Sequence, residues 1–159
     1  MNLLDKEPVK RVGKILENFN QSLEVILLEN SAKTAQDAAT ALGCDVGKII
    51  KSLLFKTEDS FTLCLVAGDK KCSLNKIKKI KNINDVLMAS PEEVKTQTGY
   101  TIGGVSPVGH LNELEILIDK SLDRFKDLFA AAGHPNCVFK IDFINIQKIT
   151  NGKIRDITE

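Results

Sequence analysis

Apolar positions recur at helical spacing in some stretches of the chain and run together in others, and the two patterns alternate. Val12, Ile15, Leu16 and Phe19 share one face of a helix predicted over Val9 to Phe19. Val25 to Leu28 reads as a short buried strand. Thr34 has the character of an N-cap, with Asp37 three residues on as a capping-box variant. Ala35, Ala38, Ala39 and Leu42 then repeat at helical spacing up to a stop at Gly43. Ile49 to Phe55 and Phe61 to Ala67 read as two strands joined by a turn at Glu58, Asp59 and Ser60. Ser73 caps a short helix expected to bury Leu74, Ile77 and Ile80. Ser90-Pro91-Glu92-Glu93 is a helix start with a cap, a first-position proline and a third-position acid, and Gly99 ends that helix.

The segment from Thr101 to His110 breaks the alternation. Gly103, Gly104, Pro107 and Gly109 lie so close together that no regular element fits, so a shaped loop is expected. Glu115 to Ile118 is a strand. Leu122, Phe125, Phe129 and Ala132 fit a helix ending at Gly133, while Leu128 to Ala132 also fits a strand. Cys137 to Ile141 is a strand, and Asp142 caps a last helix that stops near Gly152, before a tail containing Ile154. The pattern is α/β, without repeats or a linker. With 159 residues it fits one domain over residues 1–159, in which residues 1–22 form an N-terminal helical extension.

Composition narrows the function classes. Hydrophobic residues make up 43% and charged residues 27%, enough apolar material for a packed core and too much for disorder. No apolar run reaches the length of a membrane span, and the start has an early acid and no apolar secretory core. The four cysteines form no CxxC pair, so reduced thiols in the cytoplasm are expected, with no metal and no cofactor. One tyrosine, seven phenylalanines and no tryptophan argue against an aromatic base-stacking sheet. The net charge of +1 hides an uneven distribution. Lys70, Lys71, Lys76, Lys78, Lys79 and Lys81 follow one another with no acid between them, whereas Glu113 to Asp127 is acidic. The lysines are either a solvated helix face or a positive face for a polyanion.

Familiar catalytic signatures are absent: there is no GxSxG, HExxH, GxGxxG or GxxxxGK[ST]. Two features remain. Lys51 is a cation in the apolar run from Ile49 to Phe55, pointing either outward or into a cavity. The Gly103-Gly104 loop is either a structural turn or a place where backbone N–H groups approach a ligand closely.

These features occur in an order that resembles the YbaK/prolyl-tRNA synthetase-associated editing domain superfamily. The resemblance runs from about Ser31 to Ile157. It includes the Thr34-to-Ala39 helix start, Leu42-Gly43, the Ile50-Lys51-Ser52-Leu53 strand and Gly68-Asp69-Lys70-Lys71. It continues through the Lys76-to-Lys79 helix, Gly99 to Pro107 with its GxxxP loop, Leu117-Ile118-Asp119 and Ala131-Ala132-Gly133. His110 stands where YbaK itself has a glutamine-like residue, so the likeness is to the prolyl-tRNA-editing branch broadly. The resemblance implies a curved mixed β-sheet with helices around it, and Leu128 to Ala132 as a strand. It also implies a free-standing deacylase acting in trans on mischarged tRNA, most naturally tRNA-Pro bearing Ala, Cys or 2-aminobutyrate, with Ser or Thr as further substrates. Prolyl-tRNA synthetase is the implied protein partner, with no membrane association. On this resemblance Lys51, Gly103 and Gly104 are expected to take the catalytic positions and Ser106, Pro107 and His110 to shape the amino-acid pocket. The one-signed run makes Lys70, Lys71, Lys76, Lys78 and Lys79 the expected contacts to tRNA. A non-catalytic tRNA- or synthetase-binding module of the same fold is the alternative.

Overall fold

The computed structural model describes residues 2–159; Met1, the first residue of the expected domain, lies outside them. Helix α1 spans Glu7–Phe19 and starts two residues before the expected position, because Pro8 is accepted in the first turn, where its missing N–H has no partner to lose. It buries Val9, Val12 and Leu16, and Phe19 is left exposed at the last turn. The buried strand expected over Val25 to Leu28 shrinks to β1, Ile26–Leu27, a half-exposed edge.

Local capping chemistry fixes most helix starts. In α2, Ala35–Leu42, the Thr34 hydroxyl accepts from the Asp37 N–H at 3.1 Å. Strands β2, Ile50–Lys56, and β3, Phe61–Ala67, form an antiparallel hairpin over their whole length. Ser73 caps α3, Leu74–Lys81, which buries Ile77 alone; Leu74 and Ile80 stay exposed because one face of so short a helix meets the sheet. Strand β4 is Leu87–Met88. A reciprocal capping box between Ser90 and Glu93 opens α4, Pro91–Thr98.

After the irregular loop comes β5, Glu115–Asp119. A 3-10 turn over Lys120–Arg124 follows, then β6, Leu128–His134. The segment that fitted either a helix or a strand is therefore a strand, as the resemblance implied. Antiparallel pairing with β7, Cys137–Ile141, decides it, and side chains alternate between buried and half-buried along β6. Asp142 caps α5, Phe143–Thr150. The tail adds β8, Lys153–Arg155, parallel to β5.

The mixed β-structure forms two sheets, β1-β7-β6 and β4-β2-β3-β5-β8. Among the described residues, one parallel bridge, between Ile49 and Phe129, joins them. The outer edge of β2 is thus shared. Phe55 and Lys56 pair with β4 at one end, while Ile49 meets β6 at the other. Between these points the edge lacks a strand partner, and there the sheets part.

Candidate functional site

A cavity of about 330 Å³ opens in that gap. Its floor is Ile50, Ser52 and Leu54 of β2, and Ala130, Ala131 and Phe129 of β6 close one side. Ala32, Lys33, Thr34 and Ala35 form a second side at the start of α2. Met88 of β4 and the following Ala89 border it, and Ile102, Gly103 and Val105 contribute the glycine-rich loop. Lys51, His134 and Pro135 also line it. Its size is at the small end of the range for ligand sites, and its lining is mainly apolar with a few polar groups.

Gly103 has φ +96°, a conformation that side chains other than glycine's rarely adopt. The N–H groups of Gly103 and Val105 have no hydrogen-bond partner among the described residues, although both residues line the cavity. Gly104 plays a different part. Its N–H is used in a turn to the Thr101 carbonyl at 2.9 Å. A Cβ there would lie 2.9 Å from the His134 Cα, so Gly104 lets the loop lie directly on the β6 backbone. Of the two glycines, Gly103 faces the cavity and Gly104 supports it from behind.

Lys51 alternates with Ile50 and Ser52 and so lies on the opposite face of β2, with Leu53, beside the Cys64–Val66–Ile77 cluster. Its Nζ donates to the Lys70 carbonyl at 2.6 Å. Lys51 thus borders the cavity while its ammonium is held away from the Ile50–Ser52–Leu54 floor, at the turn after β3. That turn is itself fixed, because Asp69 receives two bonds from Arg124, at 2.9 and 2.7 Å. The guanidinium holds the Asp69 carboxyl below its usual range.

Ser106, Pro107 and His110, expected to shape the amino-acid pocket, do not line this cavity. Ser106 is fully buried and its hydroxyl accepts from the Val108 N–H at 3.4 Å. The His110 Nε2 donates to the Ser106 carbonyl at 2.7 Å, and its ring packs edge-on to Tyr100. Burial pushes the His110 pKa down. These residues hold the loop together from its far side.

His134 does line the cavity, and it is absent from the residues expected on sequence grounds. It stands at the end of β6, past a register shift that begins at Ala131. Its Nδ1 accepts from the Asn136 N–H at 3.1 Å, so Nδ1 is unprotonated and the neutral ring carries its proton on Nε2. Desolvation, and then the charge of Lys6, lower its pKa and favour that neutral form. A Gly-His-Pro-Asn turn between two strands was the available signal.

The lysine run is only partly a free positive face. Lys76 pairs with Asp156 at 2.9 Å and donates to the Thr158 carbonyl at 2.6 Å, holding the C-terminal tail. Lys81 pairs with Glu115, and Lys71 lies 3.8 Å from Glu159. Lys70, Lys78 and Lys79 have no acidic partner among the described residues.

Comparison with known proteins shows the family. The family model for the aminoacyl-tRNA editing domain matches residues 29–149. The uncharacterized protein YwhH of Bacillus subtilis is 33% identical over 147 residues, 92% of this chain and 93% of that protein. Proline–tRNA ligase of Bacillus velezensis is 35% identical over 120 residues, 76% of this chain but 20% of the ligase. This chain thus spans about a fifth of that relative. A crystal structure of a protein proposed to be a trans-editing enzyme for prolyl-tRNA synthetase superposes with a TM-score of 0.90 at 35% identity, covering 97% of this chain and 98% of that one. The matched segment contains α2, Lys51, the glycine-rich loop and His134, every wall of the cavity, and the chain belongs to the aminoacyl-tRNA editing domain family.

Proposed function

We propose that this chain is a trans-acting hydrolase that deacylates mischarged tRNA, with tRNA-Pro carrying a small non-cognate amino acid such as Ala, Cys or 2-aminobutyrate as its substrate. Serine and threonine esters belong to the same size class. The observation that carries the reading is a small, largely apolar cavity with Gly103 and its unpartnered N–H on one wall and Lys51 and His134 beside it. A synthetase pocket rejects a substrate one methylene smaller by only about 10- to 200-fold, so a second hydrolytic site supplies the remaining discrimination.

An aminoacyl ester is already activated. Water adds to its carbonyl carbon, the ester C–O bond breaks, and the leaving ribose oxygen takes up a proton. The protein's task is to position the ester and to stabilise the tetrahedral oxyanion. The N–H groups of Gly103 and Val105 are the donors nearest that role. The Nε2–H of His134 supplies a further donor, and the Lys51 ammonium offers positive charge near the acceptor-end phosphate. Incubating the purified chain with tRNA-Pro charged in turn with Ala, Cys, 2-aminobutyrate, Ser, Thr and Pro tests this reading. Release of at least one small amino acid with prolyl-tRNA spared supports it; binding without release of any of them identifies a non-catalytic module.

His134 gives the activity an expected pH dependence. Its pKa lies below the ordinary histidine value, so the neutral ring prevails at neutral pH; as pH falls through that lowered pKa the ring keeps its Nε2–H and becomes a cation. Protonation also costs the Asn136 bond, because Nδ1 then carries a proton. The rate is expected to fall on the acid side, and His134→Gln, which keeps a neutral N–H donor, is expected to flatten that limb. An acid limb of unchanged position in the variant would assign the titration to another group.

Phosphate recognition should fall on the unpaired lysines. Replacing Lys70, Lys78 and Lys79 together by Ala is expected to weaken binding of all tRNAs alike. It should also flatten the log-log salt dependence, by about 0.7 to 0.9 for each phosphate no longer neutralised. An unchanged slope would mark these lysines as a solvated face.

A further inference from the structure

The family match begins at residue 29, yet the side chain that holds the glycine-rich loop comes from α1, before it. Arg11 Nε donates to the Gly109 carbonyl at 2.7 Å, at the far end of the loop. Its Nη2 donates to the Thr98 carbonyl at 3.4 Å, at the near end. The guanidinium also lies 4.8 Å from the centre of the Tyr100 ring. Tyr100 is fully buried, and its hydroxyl donates to the Val108 carbonyl at 2.7 Å. Arg11 and Tyr100 together tie both ends of the loop to each other and to one helix.

The same helix also positions the opposite wall. α1 packs against β6, and at Gly133, the neighbour of His134, a Cβ would lie 2.8 Å from the Pro8 carbonyl oxygen. The loop that presents Gly103 and the strand end that presents His134 are therefore both referenced to the first turns of α1. A planar guanidinium suits this task, because its fork reaches two carbonyls while its face covers an aromatic ring.

We propose that Arg11 is a positioning residue for catalysis: by clamping both ends of the glycine-rich loop to α1, it fixes the distance between the Gly103 N–H and the His134 ring across the cavity. The inference rests on the deacylase reading. It gives the N-terminal helix a role in the reaction without placing Arg11 in contact with substrate.

Arg11→Met and Arg11→Lys, made in the full chain, provide the test. Tyr100 is the sole tyrosine and there is no tryptophan, so intrinsic fluorescence reports on the clamped end of the loop alone. In Arg11→Met, kcat for mischarged tRNA is expected to fall about 10- to 100-fold, as for a displacement of about 1 Å, with KM within about twofold of wild type. Acrylamide quenching of Tyr100 is expected to rise. Arg11→Lys should restore little of kcat, since one ammonium cannot serve two carbonyls and a ring; this variant carries the test if Arg11→Met fails to fold. Folded variants with wild-type kcat, or with unchanged Tyr100 quenching, would overturn the proposal. If the wild-type chain itself hydrolyses none of the esters, the deacylase reading fails, and Tyr100 quenching alone decides whether Arg11 holds the loop.

Discussion

Gly103→Ala is expected to lower the deacylation rate about 100-fold while tRNA affinity changes little. Space is not the reason. The nearest atoms to a Cβ built at Gly103 are the Lys33 and Pro135 Cγ atoms, each at 3.5 Å, an ordinary contact. The reason is φ +96°, which an alanine relieves only by turning the peptide. That turn moves the unpartnered N–H groups away from the position of the developing oxyanion, where donors act through placement. Lys70, Lys78 and Lys79, proposed for phosphate recognition, do not line the cavity, so tRNA affinity is expected to hold. Gly104→Ala makes the contrast, because its Cβ meets the His134 backbone, and that variant should lose melting temperature together with activity. A folded Gly103→Ala chain with wild-type turnover would show that the loop is a turn and no more.

Lys51→Ala ranks second. The side chain is half-buried, and its one hydrogen bond goes to a backbone carbonyl, so the fold should tolerate its removal. On the proposed reading the ammonium makes a charge-assisted bond to substrate, and its loss is expected to cost about 1.5 to 3 kcal/mol, or about 10- to 150-fold in rate. Lys51→Arg should rescue only in part, because a broad planar fork replaces a compact ammonium at the Lys70 carbonyl. Hydrolysis by Lys51→Ala at the wild-type rate would remove Lys51 from the site.

The elements that the sequence made legible are those set by short-range chemistry. The side chains of Thr34, Ser73, Ser90 and Asp142 each accept from the N–H three residues on, because a cap needs only a residue and its third neighbour; Glu93 returns the bond to Ser90, whereas Asp37 does not return one to Thr34. Strand β6 was ambiguous because Leu122, Phe125, Phe129 and Ala132 mimic helical spacing, and only pairing with β7 settles the matter. Strand β8 carries no pattern at all: Lys153, Ile154 and Arg155 are exposed, and backbone pairing to β5 alone defines it.

The site divides in the same way. Lys51 and Gly103 each look unusual in their own segment, one as a cation in an apolar strand and the other in a glycine cluster. His134, Ala32 and Phe129 do not, because their part in the cavity comes from the gap between two sheets. The acids that neutralise Lys76 and Lys81 are equally remote, at Asp156 and Glu115, so the lysine run read as more uniformly positive than it is. Ser106 and His110 share a motif with Gly103 but face the other side of the loop.

On the proposed function, the cavity beside Gly103 hydrolyses a mischarged ester without help from a synthetase. The most direct test is the rate of alanine release from alanyl-tRNA-Pro by catalytic amounts of the chain alone, beside Gly103→Ala and with prolyl-tRNA-Pro as the control. Wild type is expected to turn over many times, Gly103→Ala to release alanine about 100-fold more slowly, and prolyl-tRNA to stay intact. Release no faster than spontaneous hydrolysis, or equal release by wild type and a folded Gly103→Ala chain, would contradict that reading.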